Sequence, residues 1–160
     1  MSERDIALVD GDVGVRLEQA RTLFREYADS LPFDLDFQDF EQELARLPGP
    51  YAPPLGRLLL ALASDEPLGC VAIRPLADTT AELKRLYVRP AGRGLGVGRA
   101  LAEAAIDAAR ALGYARIVLD TVPGMDAAVS LYRSLGFVQI PAYRFNPVPG
   151  ATYLELTLRT

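Results

Sequence analysis

Residues 88–101, VRPAGRGLGVGRAL, carry glycine at 92, 94, 96 and 98, with Arg89, Arg93 and Arg99 threaded among them. A strand, a glycine-rich turn and a helix in that order form an anion-binding arrangement. The glycines leave backbone N–H groups uncovered, and the positive end of the helix dipole points at the same place. The ligand such a loop takes carries phosphate. Between Lys84 and Arg99 there are five cations and no acid, in a chain whose formal net charge is −4; a diphosphate with a further phosphate suits that local inversion. Two familiar phosphate motifs are absent. A G-x-G-x-x-G beginning at Gly94 needs glycine where Arg99 stands, and no G-x-x-x-x-G-K-[ST] occurs. A flexible turn with solvated arginines uses the same residues and stays open as the plainer alternative.

The chain has no histidine and one cysteine, Cys70. The common zinc sites, every Ser-His or Cys-His pair and an intramolecular disulfide are thereby excluded, so no metal site is expected. Acid–base chemistry is left to carboxylates, Tyr, Lys and water. Cys70 lies in the apolar GCVAI, which suits core packing better than nucleophilic attack. The acidic balance argues against a general nucleic-acid binder. MSERDIALVD has neither the basic start nor the apolar stretch of a signal peptide, and no run is long enough to span a bilayer. These features read as a cytoplasmic chain with no membrane partner. Lys84 is the one lysine, which reads as codon bias.

The 160 residues suit a single domain, 1–160, with a mixed α/β layered architecture. "DIALVD" is a short strand. Leu17, Ala20, Phe24, Tyr27 and Leu31 then fall at helical spacing, and Phe37, Phe40, Leu44 and Leu47 repeat the pattern up to the turn-forming PGPYAPP. GRLLLALAS, LGCVAIRPL and AELKRLYV read as an antiparallel meander. A helix follows from Val97 to the stop at Gly113, then the strand ARIVLDT, a helix over 125–135 stopped by Gly136, and the strands FVQI and TYLELTL. The order is β-α-α-β-β-β-α-β-α-β-β.

Arg93-Gly94-Leu95-Gly96-Val97-Gly98 matches the R/Q-x-x-G-x-G/A loop of the GNAT superfamily of N-acetyltransferases, and ELKRLYVRP upstream and AAVSLYRSLGF downstream extend the likeness over residues 55–140. The chain resembles that family in element order too. The resemblance implies a GNAT-like, mostly antiparallel sheet flanked by four helices, and acetyl-CoA (CoA) as the cofactor. It implies that the backbone of Leu86, Tyr87 and Val88 meets the pantetheine arm, and that Arg93, Gly94, Gly96, Val97, Gly98 and Arg99 meet the phosphates. The activity implied is acetyl transfer to a primary amine of a small molecule or peptide, by direct attack in a ternary complex. An alkyl amine titrates near about 10.4 and must lose a proton before it attacks, and a departing thiolate benefits from an acid.

Tyr132 falls at the Tyr of the family's A-x-x-L-Y-x-x-x-G-F pattern (Ala128, Leu131, Tyr132, Gly136, Phe137), which implies the acid; a core tyrosine with its hydroxyl at the edge fits the same helical stripe. Glu82 matches the general-base carboxylate of several members, with Asp120 the second candidate; each also fits a solvated strand-end charge. Met125 stands where many relatives have an Asn that bonds the pantetheine arm, so that contact is in doubt. The first two helices border the acceptor in this family. Here Asp34, Asp36, Asp39, Glu41 and Glu43 are interleaved with Phe37 and Phe40, either to draw in a cationic amine or as a solvated helix face. Tyr143 and Arg144 are further pocket candidates, Arg144 suiting a carboxylate. Homodimers are common among such enzymes. A catalytically inactive CoA-binding or regulatory module, or a plain interaction domain, are the rival readings.

Overall fold

The computed structural model describes residues 5–32, 35 and 39–158. One seven-stranded sheet runs in the order β1-β2-β3-β4-β5-β7-β6. Its strands are β1 (Ile6–Asp10), β2 (Arg57–Ala63), β3 (Glu66–Ala77), β4 (Thr80–Val88), β5 (Arg116–Thr121), β6 (Val138–Ile140) and β7 (Thr152–Thr157). Among the described residues the α-helices are α1 (Gly14–Asp29), α2 (Phe40–Arg46), α3 (Val97–Ala111) and α4 (Asp126–Ser134), and the order along the chain is the one the periodicity implies.

The helices cover both faces of the sheet, which explains why β2 is a nearly unbroken apolar run, RLLLALA. Leu58, Leu60 and Leu62 pack with Ala20, Leu23 and Phe24 of α1 and Leu44 of α2. Leu59, Ala61 and Ala63 point the other way, into a core with Val97, Leu101 and Ala105 of α3. β2 turns into β3 through Ser64 and Asp65 alone, at φ 51° and 70°. Two left-handed residues in succession give the turn whose twist matches a two-residue hairpin.

Two irregularities in β4 shape everything near it. On one side β4 pairs in parallel with β5 only over Thr80–Glu82 against Arg116–Val118, although β4 continues to Val88 and β5 to Thr121. The strands therefore part. On the other side Cys70 pairs with Tyr87 and Ala72 with Lys84, so Arg85 and Leu86 face the single residue Val71. This is a β-bulge, with Arg85 at φ 63°. A left-handed non-glycine residue costs about 1–3 kcal/mol and persists only where its surroundings hold it. Here they do. The buried Arg85 guanidinium bonds both oxygens of Glu43 on α2 at 2.9 and 2.8 Å and lies 5.2 Å from the Phe40 ring centroid, and the Cys70 thiol donates to the Arg85 carbonyl at 3.3 Å.

Breaking one side of a buried ion pair costs about 3–5 kcal/mol, because the other charge is left unpaired in a poor solvent. Glu43→Gln should lower unfolding free energy in urea by about 3 kcal/mol at neutral pH on that basis. Burial raises the Glu43 pKa, but Arg85 outweighs it and holds the carboxyl below its ordinary value of 4.5. The stabilisation is thus complete above about pH 4.5 and fades as pH falls through the lower folded value. The parent should lose more stability than the variant between pH 5 and pH 3; parallel stability–pH curves would remove the pair from this role.

Candidate active site

The turn after β4 brings its glycines to the start of α3. Gly94 and Gly96 both sit at φ 79°, a region L side chains rarely adopt. Gly96 is the cap residue of α3, with no side chain closing the helix end and no acid in the first turn. The first amide bonded within the helix is that of Ala100, to the Gly96 carbonyl at 3.0 Å. The N–H groups of Val97, Gly98 and Arg99 are left to an external acceptor. A Cβ at Gly98 would meet Val88 Cγ2 at 3.6 Å and Leu131 Cδ2 at 3.8 Å, so here the backbone runs close between β4 and α4.

Of the five cations counted between 84 and 99, two border this turn. Arg93 lines the groove beside it and donates from Nε to the Val88 carbonyl at 3.3 Å; Arg99 donates to Ser134 Oγ at 2.7 Å. Arg89 serves a different end: its guanidinium bonds Glu26 of α1 at 2.9 and 2.6 Å and the Pro67 carbonyl at 3.0 Å. Arg85 is held by Glu43, and Lys84 is buried.

A groove of about 610 Å³ runs from the turn along the parted edge of β4. Leu86, Tyr87 and Val88 form one wall, and Met125, Ala128 and Leu131 the other. The donor set fits a ligand with phosphates at one end and an extended, amide-bearing arm: helix amides and two guanidinium groups at the turn, then strand edge unpaired by β5. Met125, at the α4 cap, contributes a thioether where an amide side chain was sought.

A second, smaller recess of about 60 Å³ opens beside the first, sharing Tyr27, Leu86, Met125 and Ala128 with it. Its polar lining comes from both parted strands and beyond: Lys84 and Arg85 of β4, Asp120 and Thr121 of β5, Tyr27 of α1, Tyr132 of α4 and Asn146 of the β6–β7 connection. Asn146 donates from Nδ2 to Asp120 at 3.1 Å and accepts the Val148 N–H on Oδ1 at 2.9 Å, which fixes its amide. Tyr132 is buried against Phe137, ring centroids 5.4 Å apart, and burial pushes its phenol up. Lys84 is lowered to about 8 by burial and by Arg85, partly offset by Glu82 and Asp120.

Glu82 lies outside both cavities. It is wholly buried, accepting from Arg74 Nε at 2.9 Å on one oxygen and from Tyr143 (2.7 Å) and Arg144 (2.6 Å) on the other. Burial alone would raise its pKa, but Lys84, Arg144 and Tyr143 together hold it below the usual carboxylate range. A carboxylate so saturated is a weak proton acceptor. Tyr143 and Arg144 are thus directed at Glu82 and do not line the recess. In the acidic stretch, Glu43 is committed to Arg85 and Glu41 lies 3.5 Å from Arg25, while Asp39 precedes α2 at φ 54°. Asp34, Asp36 and Phe37 lie outside the described residues.

Sequence reasoning passed over Tyr27, Lys84 and Asn146. One signal for Lys84 was present: a single lysine among 17 basic residues marks a position where a compact ammonium replaces the planar fork used everywhere else.

Residues 17–137 match the family model described as the acetyltransferase (GNAT) family. An uncharacterized N-acetyltransferase of Schizosaccharomyces pombe is 40% identical over 146 residues, covering 89% of this chain and 88% of that one. An acetyltransferase structure from Streptococcus agalactiae superimposes with a TM-score of 0.78 at 24% identity, covering 96% of this chain and 98% of that one. A putative acetyltransferase from Salmonella typhimurium, solved with its cofactor acetyl-CoA, gives 0.64 at 21% identity, covering 96% and 94%. No helix among the described residues is long and apolar enough to cross a membrane.

A hydrogen bond to a charged group contributes about 1.5–3 kcal/mol. Arg93→Ala should therefore weaken binding of a diphosphate-bearing ligand by about tenfold or more in calorimetry and flatten the dependence of affinity on salt. Unchanged affinity would remove Arg93 from the phosphate end.

Proposed function

The chain belongs to the acetyltransferase (GNAT) family, and on that premise we propose that it transfers the acetyl group of acetyl-CoA to a primary amine of a small molecule or peptide by direct attack. The observation that carries this reading is the parting of β4 from β5, which sets a polar recess beside a groove that begins at an uncapped helix. When bound, acetyl-CoA supplies an activated thioester. Arg93, Arg99 and the first amides of α3 hold its phosphates, and the open edge of Leu86–Val88 receives the arm.

The recess takes the amine. Asp120, oriented by Asn146, holds the ammonium and accepts its proton. Tyr132, whose phenol keeps its proton far above neutral pH, donates it to the departing sulfur as the C–S bond breaks, and the second proton shed by the acylated nitrogen restores the phenol. Its burial keeps that proton from being lost to solvent beforehand. No covalent relay is needed, since Cys70 is wholly buried and burial pushes its thiol well up. Glu82 acts as a positioning residue: with Arg74 it anchors Tyr143 and Arg144, and so sets the segment that delivers Asn146 to Asp120.

Thiol release from acetyl-CoA across a panel of amines tests the reaction. Tyr132→Phe should lower kcat by about a hundredfold, the low end for a general acid, while CoA affinity stays as in the parent. An unchanged rate would take Tyr132 out of the mechanism. Glu82→Gln should raise the acceptor KM and keep the shape of the pH profile; loss of one limb would instead make Glu82 the base.

A further inference from the structure

The bulge in β4 has a consequence for charge. A regular strand would send Lys84 and Arg85 to opposite faces of the sheet. Ala72, the cross-strand partner of Lys84, packs in the α1–α2 core, and Arg85 reaches Glu43 of α2 on that same side. Two consecutive cations therefore enter one face, beside Glu82 two residues earlier. The carboxylates there are largely taken: Glu43 by Arg85, Glu82 by Arg74, Arg144 and Tyr143. Across the gap, Asp120 bonds Asn146.

Of the charged groups that line the small recess, Lys84 and Arg85 stand against Asp120. Lys84 is 8% exposed and lines that recess. It keeps contacts within the protein, and a carboxylate entering the recess would meet its ammonium alongside them. Burial lowers its pKa to about 8, with Arg85 adding to the effect and Glu82 and Asp120 opposing it.

We propose that the acceptor is an amino-acid-like molecule, a primary amine carrying a carboxylate, with the carboxylate on Lys84 and the amine against Asp120, which Asn146 orients. The inference rests on the acetyl-transfer reading of the recess and names the acceptor class within it. Opposite charges presented from two diverging strands match a zwitterion, and an amine lacking the carboxylate meets only the Asp120 half of that pattern. The small volume admits the two charged groups and leaves the rest of the acceptor outside.

Matched pairs of amines test this with the native protein: glycine against glycinamide, and β-alanine against β-alaninamide, each followed by thiol release from acetyl-CoA. The carboxylate member of a pair should show a kcat/KM at least tenfold above its amide. Lys84→Met should bring that ratio toward one through the KM of the carboxylate member, and Lys84→Arg should restore part of it. A ratio near one in the native protein overturns the acceptor class while leaving acetyl transfer standing. A ratio that survives Lys84→Met overturns the assignment to Lys84. Binding of acetyl-CoA without acetylation of any amine overturns the transfer reading and this inference with it.

Discussion

A buried backbone amide or carbonyl must find a partner, and the parted edges of β4 and β5 are where this sheet leaves that requirement to something other than itself. Three paired residues hold the strands together at Thr80–Glu82, after which their facing edges run on unpaired. The gap is walled by helices on both sides, so it forms a groove lined by apolar side chains and strand-edge polar groups. A β4–β5 ladder continued to the ends of both strands would close the sheet and abolish both cavities. The groove and the recess are thus two openings onto a single fault in the hydrogen-bond network.

The ion pairs divide into those that build this fault and those that decorate the surface. Arg85–Glu43 stabilises a strained bulge, and Glu82 gathers two arginines and a tyrosine from two separate stretches of chain. Arg89–Glu26 joins the end of α1 to the start of the glycine turn, so that the helix bordering the recess and the loop at the phosphate end move together. These pairs are buried or half-buried. Arg110–Asp107 and Arg99–Glu103, on the exposed side of α3, are of the kind that contributes about 0–1 kcal/mol, and nothing in the site depends on them.

Much of this was legible in the residues. The order of elements follows from apolar spacing, the two-faced burial of β2 from its unbroken leucines, and the anion turn from glycines that only a left-handed backbone requires. The position of Cys70 in the core follows from its apolar neighbours. The bulge was not legible, because a single extra residue resets a period-2 pattern without changing composition; alternation alone would place Arg85 among the leucines of the α3 core. Nor were the partners of Glu82. Tyr143 is 61 residues away in sequence, and a local reading sees a carboxylate on a strand without seeing the three donors that saturate it. Asn146 and Tyr27 reach the recess by the same long-range packing.

The last strand to be reached along the chain, β7, is laid between β5 and β6. A polypeptide emerging from the ribosome can zip β2, β3 and β4 at once as neighbouring hairpins, but β5 has to wait with one edge open until some thirty further residues have been made. Apolar Ile117, Val118 and Leu119 are exposed for that interval. The nascent chain thus presents a sticky strand on the side of β5 away from the cleft, and α3, already synthesised by then, packs over its Ile117 and Leu119.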